Sequence, residues 1–244
     1  MSYEIPTEGN IPFLDITIPI HWENHAIVMF GLWFVLVPAM ILLLRFGKVP
    51  PSTYGMKGGI SKLSRPELPW TLHKNVLYSV ILLSIGSVGF AILLSDGFSG
   101  TLHAYFGVAT IILGTLQGFT AWHRGSHGGQ RGPGATHKDR ATWSGDHFDM
   151  SPKRWWFEAY HKTGGYFVLF SAGGTLATGL SRFWMPSIAW AFLIVMVSGF
   201  VLAVVLQGRG HHHDTYTSVY GYHPEHPFNK RRYSEMFRDR KDKP

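Results

Sequence analysis

Five long apolar stretches, from which lysine and arginine are almost absent, constrain this chain more than any other feature. Apolar runs of about 20 residues match a hydrocarbon layer of roughly 30 Å. That layer holds no water to satisfy backbone groups, so such runs become helices. The sequence therefore predicts an all-α integral membrane bundle of five transmembrane helices, over residues 25–46, 73–94, 102–122, 160–180 and 187–206.

The basic residues predict the orientation of these helices. Of the 22 lysines and arginines, all except Arg182 lie in or next to the segments on one predicted side of the membrane. Segment 1–24 carries only acidic charges, which places it outside by the positive-inside rule. The predicted organisation is an outer segment 1–24, a transmembrane domain 25–206 with an inner loop 124–155, and a cytoplasmic tail 207–244. The N-terminus resembles neither a signal peptide nor a transit peptide, which favours a bacterial inner membrane.

The composition excludes several classes of site. The chain has no cysteine, so disulfides, iron–sulfur clusters, cysteine-ligated zinc and covalent c-type haem are ruled out. The net charge of +7 flanks apolar spans and is not accompanied by a nucleic-acid-binding module. We therefore predict membrane lipid, and no nucleic acid, as a partner.

Four histidines stand near the starts of the first four predicted spans. Any one of them could be an interfacial histidine whose ring reaches the head groups. Four histidines at matching positions favour a functional role inside the bundle, because an ionisable group without such a role is costly to place there. These residues are His25, His73, His103 and His161.

The alternating direction of the spans pairs these histidines by depth. His25 and His103 fall near the outer face, whereas His73 and His161 fall near the inner face. A helical bundle can bind a b-type haem through two histidines on facing helices. Zinc, by contrast, needs three or four ligands that converge on one point. We therefore predict two haem b groups, one in each leaflet, within a four-helix core plus one further helix.

Three other residues are candidates for contact with the predicted haems. Gly107 and Gly165 each follow a histidine by four residues, on the same helix face, where glycine lets a porphyrin approach the backbone. Ordinary close packing of membrane helices explains such glycines equally well. Gln117 lies about 21 Å below His103 on nearly the same face. It could bind a propionate near the inner haem, or join two helices.

The spans resemble the cytochrome b561 family over residues 25 to about 206. In the first span the match consists of His25, Met29, Trp33, Pro38 and Arg45. Further matches are Trp70 before His73, the order His103, Gly107 and Gln117, and Trp156 before His161 and Gly165. The chain departs from the family at Leu77, where a glutamine is usual, and has neither a DOMON domain nor a sixth span.

This resemblance implies two haems b bound by the four histidines, and electron transfer across the membrane. It adds Met29 and Trp156 to the cofactor-binding residues. It also implies that Arg45 meets a donor or a propionate, although a positive-inside anchor is the alternative. Ascorbate, a quinone or a ferric chelate are the implied classes of redox partner, and a ferric- or ascorbate-linked reductase is the implied enzyme class.

Two other functions stay open at the level of sequence. The chain, which could itself form a homodimer, could act as a haem-bearing accessory subunit of a larger respiratory or photosynthetic complex. It could instead transport a metal through a His-rich segment, His211 to His213 with Asp214, although a solvated tail explains that segment better.

Overall fold

The computed structural model describes residues 5–11, 13–50, 68–125, 128–129, 132–136, 139–146, 151–213 and 218. Five long helices account for most of this part of the chain, which confirms the predicted all-α bundle. We number them α1 (Trp22–Phe46), α2 (Leu68–Leu94), α3 (Leu102–Trp122), α4 (Pro152–Arg182) and α5 (Pro186–Gly208).

Four of the five helices are long and apolar enough to cross a membrane. These are α1, α2, α3 and α5. Helix α4 is longer than any of them but less apolar, because its first turns carry charged residues such as Lys153, Arg154 and Glu158. A membrane protein follows from the four apolar helices, whereas a fifth crossing by α4 remains a prediction.

Helix α1 changes its winding in the middle. Its ends, Trp22–Phe30 and Val37–Phe46, are α-helical, but Gly31–Leu36 forms a π-helix. Pro38 lies two residues after Leu36, and its ring and missing N–H disturb the helical hydrogen bond to residue 34. A local π turn is one way in which a membrane helix re-satisfies the backbone groups near a proline. The described structure therefore adjusts the winding of α1 itself.

Two helices begin earlier than predicted. Helix α2 starts at Leu68 and α4 at Pro152, well before His73 and His161. Ser151 caps α4 by accepting a hydrogen bond from the Arg154 N–H at 3.3 Å. The prediction that each histidine lies within one turn of its helix start is therefore wrong for His73 and His161. It holds for His25 and His103.

A β-hairpin precedes the helices, and the sequence analysis did not predict it. Strand β1 (Glu8–Ile11) pairs with β2 (Ile16–Pro19) in antiparallel register. The hairpin lies against the end of α2, because a Cβ on Gly9 would stand 2.8 Å from the Leu94 side chain. The described part of segment 1–24, residues 5–11 and 13–24, thus contains a hairpin that packs on α2.

The described helices form two compact units, and the first contains Met1–Leu42, His73–Phe119 and Lys162–Ala203. Its buried core centres on Trp33, whose indole N–H donates to the Ser84 hydroxyl at 3.0 Å. Glycines make the close packing possible. A Cβ on Gly114 would lie 3.1 Å from the Trp33 ring, and one on Gly174 would lie 2.8 Å from Phe106. Small residues at such contacts are typical of membrane helix packing.

The second unit contains Leu43–Leu72, Thr120–His161 and Val204–Pro244. Within it, the Lys48 ammonium donates to the His213 carbonyl at 3.0 Å, and the Arg124 guanidinium lies 4.0 Å from the centre of the Trp70 ring. Much of the first inner loop, part of the loop 124–155 and most of the tail 207–244 lie outside the described residues.

Candidate functional site

The first compact unit brings together His25 of α1 and His103 of α3. Their ring centres lie 6.4 Å apart, and the ring planes make an angle of 74°. Both rings are half-buried. The pair that sequence depth predicted near the outer face is therefore adjacent in the described structure.

The spacing of the two rings is suited to one shared metal atom. Two imidazoles that bind a metal from opposite sides through bonds of ~2 Å have ring centres roughly 6 Å apart. Edge-to-face aromatic pairs have ring centres about 4.5–7 Å apart, and the 6.4 Å separation of His25 and His103, with ring planes at 74°, falls in that range as well. The spacing therefore fits one shared metal atom, and a direct edge-to-face ring contact fits it equally.

Each ring of this pair has a hydrogen-bond partner at Nδ1. The His103 Nδ1 lies 2.9 Å from the Thr175 carbonyl oxygen on α4, and the His25 Nδ1 lies 3.2 Å from the Ser87 hydroxyl on α2. A metal-binding histidine usually donates its second ring N–H to such an acceptor, which fixes both the tautomer and the ring orientation. In this arrangement Nε2 of each ring is the nitrogen that would bind a metal.

A largely apolar cavity of about 250 Å³ adjoins the two rings. All five helices and the turns at the same end of the unit contribute to its walls, with Val88 and Ala91 from α2 and Ile188 from α5. Met29 and Gly107, both predicted from the sequence, line this cavity together with Trp33 and Phe34. A Cβ on Gly107 would make only an ordinary contact, 3.7 Å from Thr175, so packing alone does not require glycine there.

Gly179 is a residue of this site that the sequence analysis missed. A Cβ at this position would lie 2.9 Å from His103 Nδ1 and 3.1 Å from Cε1. Glycine on α4 therefore makes space for the His103 ring beside its partner Thr175. In the sequence Gly179 resembles an ordinary packing glycine. Its proximity to His103 becomes visible only when α4 is packed on α3.

The two histidines predicted near the inner face fall in different compact units, His73 in the first and His161 in the second. In the first unit, His73 Nδ1 lies 3.3 Å from the Met40 carbonyl oxygen. In the second unit, the His161 ring stacks on Phe157, with ring centres 5.1 Å apart. The pairing of His73 with His161 stays a prediction.

The remaining predicted residues have varied surroundings. Trp156 is 67% exposed and packs edge-on against Trp155. Phe157, the next residue, stacks on the His161 ring. Arg45 is exposed and donates to the Gln207 side chain at 3.3 Å. Gln117 is half-buried on α3, and a Cβ on Gly165 would meet no described atom within 4 Å.

The alternative metal-binding segment is described only in part. His211, His212 and His213 follow the end of α5, and the His213 carbonyl accepts the hydrogen bond from Lys48. Asp214 lies outside the described residues.

No protein-family model, no curated protein and no solved structure matches this chain.

Proposed function

We propose that this protein is a transmembrane electron-transfer cytochrome with two bis-histidine haem b groups. The single observation that carries the proposal is the outer histidine pair, whose ring centres are 6.4 Å apart beside an apolar cavity. His25 and His103 would hold the outer haem, and His73 and His161 the inner one. The similarity of the spans to the cytochrome b561 family supports the same assignment.

The residues present at the outer site fit a haem in three ways. His25 and His103 lie on facing helices and would supply the two histidine ligands of the haem iron. The acceptors at Thr175 and Ser87 hold the ring orientation, and Gly179 leaves space for the His103 ring. The apolar side chains of the cavity provide a surface for a flat macrocycle and exclude water from it.

When bound, a haem would supply one-electron redox chemistry. The protein would hold the iron through the two histidines, which would exclude oxygen as a ligand. It also keeps the site in a low-dielectric bundle, where axial ligands and second-shell hydrogen bonds set the reduction potential. Two such sites at different depths would let electrons cross the membrane between a donor on one side and an acceptor on the other.

Replacement of single histidines tests this proposal. We expect the purified protein to contain two haems per chain, and His25→Leu or His103→Leu to lose one of them. His73→Leu or His161→Leu should lose the other. Pyridine haemochrome spectra against protein concentration give the count, and His211→Leu is the control that should keep both haems.

Two results would contradict the proposal. One is a wild-type protein, expressed with an adequate haem supply, that contains no haem. The other is a double variant, His25→Leu with His103→Leu, that still contains two.

A further inference from the structure

The Nδ1 atoms of three predicted ligands each lie near an acceptor, but the acceptors differ in kind. His103 and His73 face main-chain carbonyl oxygens, those of Thr175 and Met40. His25 faces a side chain, the hydroxyl of Ser87, at 3.2 Å. A helix carbonyl is present whatever residue occupies its position. The Ser87 hydroxyl, by contrast, belongs to a side chain, so a substitution at position 87 can remove or change this hydrogen bond to His25.

Ser87 also brings helix α2 into contact with the site, although α2 contributes no ligand to it. The outer ligands come from α1 and α3, whereas Ser87 belongs to α2. On α2, Ser87 lies fourteen positions after His73, which is nearly the same helix face and about 21 Å further along the axis. The face of α2 that carries one inner ligand therefore also carries the partner of an outer ligand.

The chemistry of this contact follows from the tautomer. A histidine that binds a metal through Nε2 carries its proton on Nδ1, so the His25 ring would donate to the Ser87 oxygen. This hydrogen bond makes the imidazole a more basic ligand. A more basic ligand stabilises ferric iron relative to ferrous iron, and second-shell hydrogen bonds are one of the ways in which a protein sets a haem potential.

We propose that Ser87 is the positioning residue of the outer site: it orients the His25 ring and lowers the reduction potential of the iron that this ring binds. The inference rests on the proposed function, since it requires a haem between His25 and His103. It adds to that function the residue through which α2 adjusts one of the two potentials.

The test is a redox titration of full-length protein in membranes or mild detergent. In Ser87→Ala we expect both haems to be retained and one midpoint to rise. At fixed potential, the ferrous-to-ferric ratio of that haem should increase by up to about tenfold, which is about 59 mV for one electron. The other midpoint should not move. Ser87→Thr keeps a hydroxyl and should restore the wild-type value.

Ser79→Ala is the matched control. Ser79 lies on the same helix, and its hydroxyl donates to the Asn75 carbonyl of α2 rather than to a histidine. Its removal should leave both midpoints unchanged. If Ser87→Ala loses the outer haem while Ser87→Thr retains it, the orienting role is supported by occupancy instead of potential.

Failure of this inference is distinguishable from failure of the proposed function. Unchanged midpoints in Ser87→Ala, with two haems bound, would overturn the role of Ser87 and leave the cytochrome intact. The same holds if Ser87→Thr behaves like Ser87→Ala, because the hydroxyl would then be irrelevant. Two haems that survive the loss of both His25 and His103 would overturn both proposals.

Discussion

At the scale of single residues, the outer site depends on what surrounds the histidines as much as on the histidines themselves. His103 is held between the Thr175 carbonyl and the bare backbone of Gly179. A methyl group at position 179 would lie within van der Waals distance of Nδ1, so the ring would have to move away from its acceptor. Second-shell contacts of this kind typically change metal affinity by about 10- to 100-fold.

Gly179→Ala should therefore weaken haem binding at the outer site. We expect at least about a tenfold loss of affinity, measured by haem titration into apoprotein or by haem content after detergent exchange. Gly173→Ala is the matched control, because a Cβ there meets no described atom within 4 Å. Alanine is also the better helix former by about 1 kcal/mol, so helix propensity cannot explain a loss. Equal haem content in the two variants would contradict the role assigned to Gly179.

Among the elements, the N-terminal segment is attached to the end of the first compact unit that holds His25 and His103. Ile5 and Pro6, which precede β1, line the same cavity as these two histidines. The Trp22 indole N–H donates to the Pro6 carbonyl at 2.8 Å, which ties the segment before β1 to the first turn of α1. This segment, rather than the hairpin strands, thus forms part of the wall of the cavity.

Trp22→Phe should loosen this attachment while it leaves the helices folded. A hydrogen bond of this type contributes about 0.5–1.5 kcal/mol, so local opening of residues 5–20 should become roughly two- to tenfold more frequent. Amide hydrogen exchange by mass spectrometry measures the change. Trp190→Phe, at a largely exposed position of α5, should leave exchange in this segment at the wild-type rate. Unchanged exchange in Trp22→Phe would show that the hairpin is held by other contacts.

For the molecule as a whole, four helices in the described part of the chain are long and apolar enough to cross a membrane, and the distribution of basic residues predicts their direction. The chain has no cysteine, so a single engineered cysteine reports on one position without background. Thr17 in β2 and Arg209 just after α5 are both exposed and lie on opposite predicted sides.

Thr17→Cys should react with a membrane-impermeant maleimide in intact cells, and Arg209→Cys should react only after the membrane is permeabilised. The expected reason is that lysine and arginine are retained on the cytoplasmic side during insertion. Labelling of Arg209→Cys in intact cells, with Thr17→Cys protected, would mean that the orientation is reversed.

The amino-acid sequence was sufficient to predict the all-α membrane fold and the adjacency of His25 and His103. Long apolar runs must be helical in lipid, and alternating directions bring His25 and His103 to one depth. These conclusions need only the order of residues along the chain. The local winding of α1 was less accessible, although Pro38 marked the place where the helix would be disturbed. The β-branched run Ile16, Thr17 and Ile18 was a signal for the hairpin that the sequence analysis overlooked.

The neighbours of the two histidines are set by helix packing and could not be predicted from the sequence. Ser87 and Thr175 lie on α2 and α4, far from His25 and His103 in the sequence, and they are ordinary helix residues until the helices pack. The same is true of Gly179, whose lack of a side chain matters only because the His103 ring occupies that space. Periodicity defines which face of a helix is apolar, but the rotation and height of one helix against another come from the interlocking of side chains across the bundle.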